Sequence, residues 1–79
     1  NTKIAKMLTQ KLSYYFLYLG HSKRGLKRYG EAVEAYKKAA KIEPNNIFSH
    51  LQLAITYELM GQEKAARAAA SQVVKIDPT

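Results

Sequence analysis

Two histidines, a serine set between glycines and a short run of cations are the residues of this chain whose types could do chemistry. The segment Gly20-His21-Ser22-Lys23-Arg24-Gly25 is close to the Gly-x-Ser-x-Gly elbow that exposes a serine nucleophile on a strand-to-helix turn. It has one residue too many before its second glycine, and no period-two strand pattern precedes it, so a nucleophile elbow is not expected. His21 and His50 are the only histidines and cysteine is absent. With no His-Glu-x-x-His spacing and no thiolate, neither a metal site nor a disulfide framework is expected. For each histidine a structural or contact role is commoner than that of a ligand or base. No glycine-rich phosphate loop follows a strand, so the chain is expected to be no enzyme and to hold no cofactor.

The cations form the second candidate. Residues 1–46 carry ten Lys or Arg against Glu31, Glu34 and Glu43, whereas residues 47–79 carry three of each sign, so the net charge of +7 lies in the first half. Lys23, Arg24, Lys27 and Arg28 concentrate it at one turn. Such a patch suits an acidic protein, nucleic acid or anionic lipid. A solvated turn with lysines near a helix C-terminus is the plainer reading. Nucleic-acid binders interleave exposed aromatics with their cations, and the neighbouring Tyr29 stands at a packing position, which weighs against nucleic acid.

These residues sit on a repeating frame. Pro44 and Pro78 stand 34 residues apart, each closing a segment that ends Lys-Ile-acid-Pro. The same shift sets Leu17 on Leu51, Leu19 on Leu53, Ala32 on Ala66, Ala35 on Ala69 and Ile42 on Ile76. A period of this size marks a helical solenoid, whose units bury their apolar faces by stacking. The residues Phe16-x-x-Leu19-Gly20, Ala32-x-x-x-Tyr36, Ala39 and Pro44, then His50-x-x-Leu53-Ala54-x-x-Tyr57, Gly61, Ala66 and Pro78, resemble the tetratricopeptide (TPR) repeat. Ser13 to Thr79 carry this resemblance, which implies an all-α helix-turn-helix solenoid and a protein-interaction role.

Each signature residue has a physical reason for its type. Gly20 and Ala54 are small where paired helices must approach to roughly 8–10 Å, and Ala32, Ala39, Ala66 and Ala69 admit the partner helix. Phe16, Leu19, Tyr36, Leu53 and Tyr57 fill the spaces between, and the prolines end the second helices. The chain departs from the pattern at Lys23, at Lys27 in place of the turn glycine, at His50 in place of a large aromatic and at Ala70 in place of Phe or Tyr. A less filled second repeat and a remodelled turn around Gly25 are the expected consequences.

The period extends upstream, with Ala5 in phase with Ala39 and Leu8 with Ile42. Residues 1–12 therefore read as the remnant of an earlier repeat's second helix, followed by repeats over 13–46 and 47–79. Nothing from Lys3 to Leu19 is Gly or Pro, so the alternative of one helix running through the junction stays open. The first residue is not Met, and the expectation is a piece of a longer array. At 79 residues the chain buries only about 60% of its unfolded surface, and solenoids generally need about three repeats. No apolar run reaches the roughly 20 residues that span a bilayer. The expectation is a cytoplasmic protein with no membrane partner.

The resemblance also places a concave groove on the first helix of each pair. The inward positions are Tyr14, Leu17, His21 and Arg24 in the first repeat and Phe48, Leu51, Ile55 and Glu58 in the second. Relatives that grip acidic C-termini of chaperones do so with Lys, Asn and Arg; here Leu17, Tyr18, Leu51 and Gln52 stand at the comparable places, which argues against a carboxylate clamp. An apolar, aromatic groove suits a peptide or amphipathic helix, with Tyr14 and Phe48 as anchors and Arg24 and Glu58 as rim charges. A self-assembly element of a larger signalling or scaffold protein, forming a homo-oligomer, is the first alternative, and the basic patch is the second. The Phe16–His21 run and the Ala65–Ser71 helix also resemble TPR tails of bacterial signalling proteins such as nucleotide cyclases, too unspecifically to carry a function.

Overall fold

A computed structural model describes all residues, Asn1–Thr79, as four helices and no strand: α1 (Thr2–Gly25), α2 (Tyr29–Ile42), α3 (Ile47–Leu59) and α4 (Glu63–Ile76). Consecutive helices pack on one another, α1 on α2, α2 on α3 and α3 on α4. This is the all-α repeat architecture read from the period, two helical pairs with a leading helical segment. The molecule is 16 Å across its thinnest dimension, little more than one helix with its side chains at about 10–12 Å. Few side chains can be enclosed in so thin a slab, and 13 of 79 residues are buried.

The leading segment does not turn back. Residues Thr2–Gly25 form one helix, about 36 Å long, because the junction holds no residue that would stop it. Asn1 caps it by accepting from the backbone N–H of Lys3 at 2.9 Å, satisfying one of the orphan donors of a first turn. Asn46 caps α3 the same way on Phe48, at 3.0 Å. All of residues 1–12 are exposed.

The core is small and centred on α2. Ala32, Val33, Tyr36 and Ala39 of α2 meet Leu17 of α1, Leu53 of α3 and Ala69 of α4. Tyr36 is fully enclosed, and its ring lies where a Cβ on Gly20 would come to 2.5 Å. Gly20 is therefore required by the Tyr36 ring and not only by helix approach. In the second repeat Ala54 replaces Gly20, and Ala70, at Tyr36's position, is exposed. The second repeat is the less filled one.

The turn at Gly25 differs from expectation. Gly25 closes α1 with open space around it. The next turn repeats the pattern seen after α3. Arg28 N–H reaches Lys23 O at 2.9 Å and Lys27 N–H reaches Arg24 O at 2.9 Å, while Gln62 N–H reaches Tyr57 O at 2.9 Å and Gly61 N–H reaches Glu58 O at 3.0 Å. Both are Schellman caps. The turn is not remodelled: Lys27 adopts the left-handed φ of 62° that Gly61 adopts at 73°. The hydrogen bonds of the cap hold a lysine where glycine fits without strain.

Candidate functional site

The concave side is formed by α1 and α3, with the first turn of α3 beside the middle of α1 at Tyr14–Tyr18. Tyr14, Leu17, Tyr18 and His21 of α1 and Phe48 and Gln52 of α3 line a depression of about 240 Å³. Tyr14 and Phe48 also border a larger, more polar hollow of about 530 Å³, completed by Gln10 and the Glu43–Ile47 turn. The two aromatics thus stand where the hollows meet, and both are exposed.

Of the eight groove positions read from the sequence, Tyr14, Leu17, His21 and Phe48 line this depression. Leu17 is its floor: at 7% exposure it belongs to the core cluster. Leu51 and Ile55 are partly exposed further along α3, and Glu58 is exposed near its end. Arg24 is not a free rim charge. Its guanidinium lies 5.6 Å from the Tyr36 ring centroid and donates a long hydrogen bond, 3.4 Å, to Thr56 Oγ1. Arg24 therefore bridges the two repeats, where stacking on an aromatic face favours guanidinium over ammonium.

His21 is tied to the same network. Its Nδ1 and the Tyr36 hydroxyl are 2.6 Å apart; with the imidazole proton on Nε2, the Tyr36 hydroxyl donates. Burial, then the nearby Arg24 charge, lowers the His21 pKa from 6.5, because both disfavour the imidazolium. Burial likewise raises the Tyr36 pKa above 10, with Arg24 opposing it. The pair is neutral around pH 7. Residue types pointed to His21 in the groove and Tyr36 in the core, but a bond between residues 15 apart on antiparallel helices shows only in three dimensions. Tyr18 and Gln52 line the depression without being among the eight groove positions, and Gln52 Oε1 is buried without a hydrogen-bond partner.

The members of the basic cluster differ in their partners. Lys23 Nζ pairs with Glu31 at 3.2 Å and Arg28 Nε lies 3.8 Å from the other oxygen of Glu31. With Arg24 held at Tyr36, Lys27 is the member of the four with no acidic or aromatic partner. His50, at its packing position, donates from Nε2 to the Pro44 carbonyl at 2.8 Å and so fastens the α2–α3 turn. Ser22 is exposed within α1. No cluster of three or more His, Cys, Asp or Glu is arranged to hold a metal, and no helix is long and apolar enough to cross a membrane.

Comparison with known proteins accords with this geometry. Residues 20–61, more than half of the chain, match the family model described as TPR repeat, and residues 49–79 match one described as tetratricopeptide repeat. The small glutamine-rich tetratricopeptide repeat-containing protein 2 of Mycosarcoma maydis is 37% identical over 59 residues, covering 75% of this chain and 17% of that protein. The chain thus spans under a fifth of that relative's length. No solved structure matches it significantly. Repeats of this kind generally mediate protein–protein interaction and are generally not catalytic. Two family-model matches that together cover residues 20–79, on two antiparallel helical pairs closed by the same cap, place the chain in the tetratricopeptide repeat family.

Proposed function

We propose that the chain binds a short helix or peptide of a partner protein in the depression between α1 and α3. The observation that carries this reading is the exposure of Tyr14 and Phe48 on either side of a depression floored by the core residue Leu17. Aromatic anchors over a rigid floor are the arrangement that concentrates binding energy in a few residues. Leu51 and Ile55 extend the apolar track one and two turns along α3, the spacing that an amphipathic helix reads. Gln52 Oε1, buried and unpartnered, offers an acceptor to a donor on the ligand. With Leu17, Tyr18, Leu51 and Gln52 in place of a cationic clamp, the ligand is recognised by apolar side chains and not by a terminal carboxylate.

The test is a titration of amphipathic helical peptides followed by tyrosine fluorescence or calorimetry. Tyr14→Ala and Phe48→Ala are each expected to weaken binding by at least about tenfold, the scale of a 1.4 kcal/mol anchor, with helicity nearly unchanged because both side chains are exposed. Affinity should change little with salt. Binding that survives both substitutions, or that falls steeply with salt, would place the ligand elsewhere.

A further inference from the structure

The outer side of α1 carries an apolar stripe that no other part of residues 1–79 covers. Ile4, Leu8, Leu12 and Tyr15 recur at steps of four, four and three and so share one side of the helix, each half-exposed or more. The 34-residue period says what normally covers such a side. In α3, which packs on α2, Ser49 and Thr56 are both fully buried. Their in-phase counterparts in α1 are Tyr15, at 58% exposure, and the exposed Ser22. α3 has α2 laid against it after the turn Glu43-Pro44-Asn45-Asn46, and α1 has no such neighbour.

The missing neighbour is present but displaced. Asn1–Leu8 is in phase with Ala35–Ile42, the end of α2, and Ala5 corresponds to the fully buried Ala39. Thr9-Gln10-Lys11-Leu12 stands where the turn stands before α3, yet it continues the helix. The straight junction carries Asn1–Leu8 away from the Tyr15 side that a turn would have let it cover. Within residues 1–79 the Tyr15 side is thus without a cover while Asn1–Leu8 offers one, which is the condition for exchange of an identical element between two copies.

We propose that two copies of the chain pair antiparallel along α1, each laying its Asn1–Leu8 segment on the Tyr15 side of the other. Setting Leu8 opposite Tyr15 of the second copy brings Asn1 opposite Ser22 and puts the two-fold axis beside Lys11 and Leu12. The stripe then closes on itself from Leu8 to Tyr15, with Ile4 set opposite Leu19 of the second copy. Two such helices bury roughly 1,000 Å² in total, the lower edge of a specific interface, so micromolar association is expected. α1 contains no Asp or Glu and carries Lys3, Lys6 and Lys11 on this half. Like charges therefore oppose the pairing, and salt strengthens it by screening; an acidic helix docked on the same face would be weakened by salt.

Sedimentation equilibrium of the 79-residue chain at two salt concentrations reads the mass directly. The expected result is a dimer whose population rises with protein concentration and with salt. Tyr15→Glu should be monomeric with unchanged helicity. Because the chain has no cysteine, Leu12→Cys should form a disulfide-linked dimer near the axis, while Val74→Cys, more exposed than Leu12 but on α4, should not. Restoring the turn with Thr9→Glu, Gln10→Pro, Lys11→Asn and Leu12→Asn should give a folded monomer. Phe48→Ala should leave the mass unchanged, which separates this interface from the groove. A wild-type chain that stays monomeric at every concentration, association that weakens with salt, or equal crosslinking through Val74→Cys would overturn the proposal.

Discussion

In the first repeat the Tyr36 ring is fully enclosed against Gly20, meets His21 through its hydroxyl and lies under Arg24, which reaches on to Thr56 of the second repeat. In the second repeat the in-phase residue is Ala70, exposed, beside Ala54 where Gly20 would stand. The two pairs share a helix-turn-helix course and a Schellman cap, so the course of the chain does not depend on the filling. Stability does. Five of the buried core residues lie on α2 and two on α4. The slot between α3 and α4 lined by His50, Leu53, Tyr57 and the small side chains of α4 remains open, at about 290 Å³. Its counterpart in the first pair is closed by Lys38 over the Phe16 ring, at 5.5 Å, and by the Lys23–Glu31 ion pair.

The largest effect should come from Tyr36→Ala, which costs about 3–5 kcal/mol by analogy with other buried aromatics. In a domain this small that is a large share of the total stability and should lower the thermal midpoint sharply. The reverse change in the second repeat, Ala70→Tyr, should shift stability by under about 0.5 kcal/mol, since the site is on the surface. Gly20→Ala drives a Cβ into a ring that has no room to move and should cost about 1–3 kcal/mol, and Gly20→Leu should unfold the first pair. In a Tyr36→Ala background Gly20→Ala should cost nothing, giving a coupling of about 1–3 kcal/mol in a double-mutant cycle; additive effects would break the link between the two residues.

A smaller change sharpens the comparison of the caps. Lys27→Gly should stabilise by about 0.5–1 kcal/mol in chemical denaturation, and Gly61→Ala should destabilise by about as much or more, because only the left-handed φ distinguishes glycine there. The smallest effect is that of pH. His21 has its pKa lowered in the fold, so the unfolded chain takes up the proton first as pH falls. Stability is full above about pH 6.5, is lost as pH falls through the folded-state pKa, and then levels. His21→Asn should flatten this part of the profile. Asp77, whose pKa is lowered by hydrogen bonds from Thr79, acts only below about pH 3.8 and does not overlap it.

The helical pairs were legible because packing dictates residue type at a fixed period: small at 20, 32, 39, 54, 66 and 69, large at 36 and 53, proline at 44 and 78. The course of residues 1–12 was not. A helix-forming junction with no Gly or Pro is compatible with a turn or a straight run, and nothing local decides between them. Lys27 was legible as a departure, but its consequence depended on the cap hydrogen bonds, which a lysine can satisfy at a cost in strain. Among the groove positions that the family resemblance implies, Tyr14, His21 and Phe48 line the depression. Arg24 does not, since its partners Tyr36 and Thr56 lie on two other helices. The four cations looked like one patch in a line, but three of them turn to Glu31 or Tyr36.

Native-state hydrogen exchange tests most directly the claim that the first repeat is the frame and the second leans on it. The amides of Ala32–Ala39 in α2 should exchange only through global opening, and those of Ala66–Ala69 in α4 through a faster, sub-global opening. Equal protection of α2 and α4, or slower exchange in α4, would contradict it.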